Sequence, residues 1–184
     1  MEQINLIKLA QEQANEADEF ELSLSAYELI CEPLKGIKME TAQQQVRLLP
    51  SIIRPLYTVL VLQSEVENGG FNQYFWNSSG RLASEAFDDL VCISAKQHAG
   101  LLKLAIIIEQ KESPMMAAFK KPQTWEAFAE SYKHSDLGSL DSEFYKLEKL
   151  DKFRANHIRK HLPEIQDCFV SLKTKKSFWK RLFQ

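Results

Sequence analysis

Apolar residues recur at three- and four-residue spacing along almost the whole chain, and strict two-residue alternation is hard to find. That periodicity puts the apolar side chains on one stripe of a helix rather than one face of a strand. It predicts an all-α fold: a single globular multi-helix domain spanning 1–184, with a buried central helix. A chain of 184 residues fits one domain, and a core of that size needs no metal or disulfide staple. The three cysteines, Cys31, Cys92 and Cys168, form no CxxC pair. They read as small buried apolar residues in a reducing compartment.

The expected elements follow from apolar spacing and from helix start and stop signals. A first helix is expected over about 3–18 on Ile4, Ile7, Ala10, Ala14 and Ala17. Ser25 with Glu28 reads as a capping box opening a second, which Gly36 ends. Thr41 caps a short helix that Pro50 stops. The most apolar segment, about 51–67, is the expected central helix, with Pro55 tolerated near its start. Asn68-Gly69-Gly70 then closes it, because glycine accepts the left-handed conformation. Phe71 to Trp76 is an aromatic turn or short helix that serves as a core plug, and Asn77 to Gly80 is a turn. Helices are expected over about 82–93 and 95–111. A loop carrying Pro114 and Pro122 covers 112–123, Thr124 caps a short helix, and one long helical stretch runs from Ser139 or Asp141 to Pro163.

Charge is distributed unevenly. Residues 1–40 hold nine acids against three bases, residues 41–135 hold nine of each, and residues 136–184 hold seven acids against eleven bases. Between Leu9 and Leu34 there are seven acids and no base. Glu12 with Glu16, and Glu28 with Glu32, lie four apart on helix faces and repel unless solvated or engaged by a partner. The tail from Ser171 to Gln184 has five bases and no acid. It can lie on an anionic membrane, dock on a partner, or rest against the acidic segment of the same chain.

No phosphate loop, dinucleotide fingerprint, nucleophile elbow or kinase signature is present, so no enzymatic activity and no cofactor are expected. His157 and His161 share a helix face, but Arg159 and Lys160 beside them disfavour a cation, and the pair reads as exposed or capping histidines. Glu65 stands before the glycine turn, where it could move protons or hold backbone N–H groups. No basic stripe suggests direct contact with nucleic acid. The start of the chain lacks a signal peptide, and the longest apolar run is too short to span a bilayer. The expected location is therefore cytoplasmic.

The run from Glu65 to Gly80, EVENGGFNQYFWNSSG, resembles the signature of a bacterial all-helical family of largely unknown function, named after a DNA mimic protein. Leu140 to Tyr145 and Ile158 to His161 are similar to its later landmarks, so the resemblance covers roughly 40–165. It leaves the acidic helices 1–36 and the basic tail 166–184 on either side. The resemblance implies a helical fold, a protein partner, a homodimer and DNA mimicry. Mimicry needs dense negative charge, which only the first 40 residues supply. By family motif, the candidate binding residues are Glu65, Asn68, Gln73, Tyr74, Asn77 and His161.

Two functions are therefore expected to compete. The first is a non-enzymatic protein-binding domain that meets a regulator-like or toxin-like partner through Glu12, Glu16, Glu28 and Glu32. The second is a small-molecule or metal site where Glu65 and Asn77 meet His161.

Overall fold

Ten α-helices and no strand occur among the described residues, 4–174, of the computed structural model. They are α1 (Gln11–Glu16), α2 (Glu19–Cys31), α3 (Met39–Arg47), α4 (Pro55–Trp76) and α5 (Ala83–Cys92). There follow α6 (Lys96–Lys120), α7 (Trp125–Ser131), α8 (Gly138–Lys146), α9 (Leu150–Lys160) and α10 (Leu162–Thr174). The described residues pack as two units, one formed by 4–57 with 149–174, the other by Thr58–Glu148.

In the first unit, α2 packs along α9. Leu22, Ala26 and Ile30 of α2 join Ile53, Leu56, Ala155, Ile158, Ile165 and Phe169 in one core. Each Leu, Ile or Phe among them taken fully from water contributes about 1.5–3 kcal/mol. The cap of α2 is Asp18, whose Oδ1 accepts from Phe20 N at 2.9 Å and Glu21 N at 3.1 Å. Ser25, expected to open this helix, is buried mid-helix with its hydroxyl donating to Leu22 O at 2.8 Å. The helix expected over 3–18 is in fact a 3-10 turn, Leu6–Lys8, followed by the short α1. Leu6, Ile7 and Leu9 all pack in or against the core. Gln166 Nε2 holds this stretch, donating to Leu6 O and Leu9 O, each at 2.9 Å.

The long helix expected to end at Pro163 is two helices, α8 and α9, and Pro163 lies in the first turn of α10. Leu147 is extended after α8, and His161 closes α9 with its N–H on His157 O and Ile158 O. The second unit brings α5, α7 and α8 against α6. Here α6 runs straight through the expected loop at 112–123. Pro114 lies within it on an exposed face, where water can take the carbonyl that proline leaves free. Glu112 fastens that half of the helix, accepting from Ser135 Oγ at 2.6 Å and Asp136 N at 2.8 Å.

Pro55 opens α4, whose side chains are buried on most sides through Val66. None of the cysteines is buried: Cys92 is exposed, and Cys31 and Cys168 are intermediate. No helix among the described residues is long and apolar enough to cross a membrane. The tail beyond Thr174, with most of its bases, lies outside the described residues.

Candidate functional site

Gly69 and Gly70 divide α4 into two helical halves. Gly70 sits at φ +68°, in the left-handed region, and Gly69 is extended at φ −160°. Such a break orphans carbonyls of the first half and N–H groups of the second. Side chains from elsewhere in the unit answer them. Tyr145 donates its hydroxyl to Val66 O at 2.8 Å, and Tyr132 donates to Gly69 O. The Asp141 carboxylate accepts from Phe71 N at 2.9 Å, so α8 supplies the cap of the second half. Burial pushes the Asp141 carboxyl above its ordinary range, against the Phe71 N–H that lowers it. A Cβ on Gly70 would lie 2.1 Å from Asp141 Oδ2, so glycine is required twice over.

Glu65 spans the same break. Its Oε2 accepts from Gln73 Nε2 and Asn77 Nδ2, each at 2.8 Å, and its Oε1 from Ser79 Oγ at 3.0 Å. The turn donors expected from the sequence are thus side chains, not backbone N–H groups. Asn68 extends the chain by donating Nδ2 to Gln73 Oε1 at 3.0 Å. A carboxylate only accepts, so it fixes which end of each carboxamide faces it. The NH2 groups of Gln73 and Asn77 turn toward Glu65.

The aromatic segment divides by burial. Phe71, Tyr74 and Phe75 are core residues, and the Tyr74 ring meets Phe75 edge-on with centroids 5.1 Å apart. Tyr74 is 1% exposed and its hydroxyl is held protonated by burial, so it presents nothing at a surface. Gly80 lies against the Phe75 backbone, where a Cβ would come within 2.8 Å of its Cα. Trp76 instead lines a cleft of about 640 Å³ together with Asn68, Gln73 and Asn77. Across it stand Trp125 and Phe128 of α7, with ring centroids 5.0 Å from Trp76 to Phe128 and 5.2 Å from Phe128 to Trp125. Lys120 also lines the cleft, donating to Phe75 O at 2.9 Å, with its ammonium 5.9 Å from the Trp76 centroid. Burial pulls the Lys120 pKa below its ordinary value.

Asn68, Gln73, Asn77 and Glu65 are therefore brought together, while Tyr74 goes to the core. His161 belongs to the other unit, where its Nδ1 faces Glu164 Oε2 at 3.5 Å. Its neighbour His157 is buried, not exposed, with Nε2 2.8 Å from Ile52 O. No group of three or more His, Cys, Asp and Glu suited to a metal occurs among the described residues.

Glu12, Glu16, Glu28 and Glu32 are all exposed. Glu12 and Glu16 lie on α1, Glu28 on α2, and Glu32 just beyond it with Lys35 Nζ at 2.5 Å. Arg159 anchors this acidic region, donating Nε to Ala14 O at 3.0 Å and Nη2 to Ala17 O at 2.9 Å. Sequence reasoning did not single out Lys120 or Trp125, and it read Arg159 only as a charge disfavouring a cation. A tryptophan directly after the helix-capping Thr124 was the available signal for the cleft.

A family model described as DMP19-like protein matches residues 47–161, from just before α4 to the end of α9. No curated protein and no solved structure matches the chain.

Proposed function

The chain belongs to the DMP19-like protein family, and from that premise we propose that it is a non-enzymatic protein-binding domain whose acidic α1–α2 surface engages a basic face of its partner. One observation carries this reading: negative charge is concentrated where the side chains are exposed and is absent as an excess elsewhere. Residues 47–161 hold fourteen Asp and Glu against fifteen Lys and Arg, while Leu9–Leu34 holds seven acids and no base. Any imitation of a phosphate array must use that segment.

Phe20 supports the same surface. It is 55% exposed and follows Asp18 and Glu19 and precedes Glu21 in the chain, and an exposed aromatic side chain is suited to anchor an interface. The carboxylates steer an oppositely charged partner, and the ring supplies apolar contact once docked. At the centre of the family-like motif, Glu65 is occupied by three donors, which supports a structural role over proton transfer.

The test is affinity capture from a bacterial lysate with the native chain and with the E12K/E16K/E28K/E32K protein. Partners are expected to be lost on charge reversal and released from the native chain by salt, as exposed charges are screened within about 10 Å at 0.1 M. Capture of the same partners by both proteins sinks the acidic-surface reading.

A further inference from the structure

We propose that the cleft between the second half of α4 and α7 is a separate binding site for an extended peptide segment bearing a carboxylate next to a large apolar side chain. The polar floor carries the first part of the argument. Because Glu65 draws the NH2 groups of Gln73 and Asn77 toward itself, and Gln73 draws that of Asn68, the carbonyl oxygens of Asn68 and Asn77 keep acceptor capacity. Each of these two carboxamides also retains one of its two N–H hydrogens. A carboxamide with a spare N–H and a spare acceptor can pair with the N–H and C=O of one residue of an extended chain, and two such groups can read the main chain of a segment without reading its sequence.

The walls carry the second part. Trp125 is 73% exposed at the rim, and Trp76 and Phe128 continue its surface inward as a run of rings. An indole held in water beside the half-buried Trp76 and the buried Phe128 is suited to close over an apolar side chain. The third part is charge. No carboxylate is among the residues lining the cleft, and Lys120 supplies an ammonium. One of its three hydrogens is spent on Phe75 O, leaving two to meet an anionic group. A saccharide would also stack on the indole, but hydroxyl-rich ligands call for acceptors such as carboxylates at the wall, and Glu65 is turned to its amides instead. The cleft volume of about 640 Å³ falls within the range of sites that hold a ligand of a few residues.

The test pans a displayed library of short random linear peptides against the full chain and measures selected peptides by fluorescence anisotropy. Enriched peptides are expected to pair Asp, Glu or a free C-terminus with an aromatic or large aliphatic residue. Trp125→Ala is expected to weaken them roughly tenfold or more, as loss of an aromatic anchor does, with an unchanged thermal midpoint because the side chain is exposed. Replacing the peptide carboxylate by its amide is expected to weaken binding several-fold. The E12K/E16K/E28K/E32K protein is expected to bind the same peptides, which separates this site from the acidic surface. The proposal is overturned if no peptide is enriched, if Trp125→Ala binds equally well, or if charge reversal abolishes binding. It is also overturned if a glycan array yields ligands that depend on Trp125 where the peptides do not.

Discussion

Asp141 caps a helix to which it does not belong: its carboxylate, on α8, accepts the N–H of Phe71 at the point where Gly70 breaks α4. Removing the cap with Asp141→Ala should destabilise the second unit by about 0.5–2 kcal/mol. Gly70→Ala should cost more, because a backbone at φ +68° and ψ −177° is essentially confined to glycine and costs on the order of 1–3 kcal/mol for a residue with a Cβ, and the Cβ also meets Asp141. The double variant Gly70→Ala/Asp141→Ala should be less destabilised than the two losses added, since the second change removes the clash created by the first. Urea denaturation of all four proteins gives the coupling, and strict additivity would show that the contact does not matter.

Glu65 ties both sides of that break together, and Glu65→Met tests how. The methionine keeps the length but offers no carboxylate to the three donors on Gln73, Asn77 and Ser79. Leaving those donors without their acceptor should cost about 1–3 kcal/mol, read as a lower thermal midpoint. A general acid or base at this position would lose activity without losing stability, so an unshifted midpoint would argue against the architectural role.

These two residues also mark what the sequence could and could not tell. Helical spacing named the fold class, and Asn68-Gly69-Gly70 named the place where the central helix breaks, because both signals are local. Asp141 as the cap and Tyr132 and Tyr145 as donors to its carbonyls were invisible, since each lies more than sixty residues away from its partner in the chain. Pro114 misled for the same reason. A local rule ends the helix there, but Glu112 gains tertiary bonds to Ser135 and Asp136 that hold α6 together beyond the proline. At Ser25 the capping-box pattern was present without a helix end to use it, and Asp18 made the cap. The carboxamides of the site were singled out by the motif, whereas the opposing Trp125 and Lys120 needed the fold to bring them near.

His98 should make the protein acid-sensitive. It is 3% exposed, its ring meets Phe144 edge-on at 5.2 Å, and burial lowers its pKa to about 4 despite the opposing Glu148. In the unfolded chain the same imidazole titrates near its ordinary 6.5. Between those values the unfolded state holds the extra proton, so stability should fall as pH drops from about 6.5 to about 4. Below that range both states are protonated and this contribution levels off. Denaturation midpoints of the native chain and of His98→Leu, compared across the window, isolate it: the variant should show the shallower fall, and parallel curves would remove His98 as the cause.

Arg159 should decide whether the acidic α1 stays in place. Its guanidinium holds Ala14 O and Ala17 O, the carbonyls that end the helix, and its Nη1 comes within 3.8 Å of Glu19 Oε1. Six residues make too short a helix to persist alone, so its order depends on such tertiary bonds. Arg159→Met keeps the aliphatic length and loses both hydrogen bonds, each worth about 1.5–3 kcal/mol when one partner is charged. Hydrogen exchange should then speed up at the amides of Ala14 to Ala17 while those of α6, in the other unit, keep their protection. If α1 remains as protected as before, its placement rests on the packing of Ala14 and Leu6 rather than on Arg159, and the acidic surface would survive the loss of its clamp.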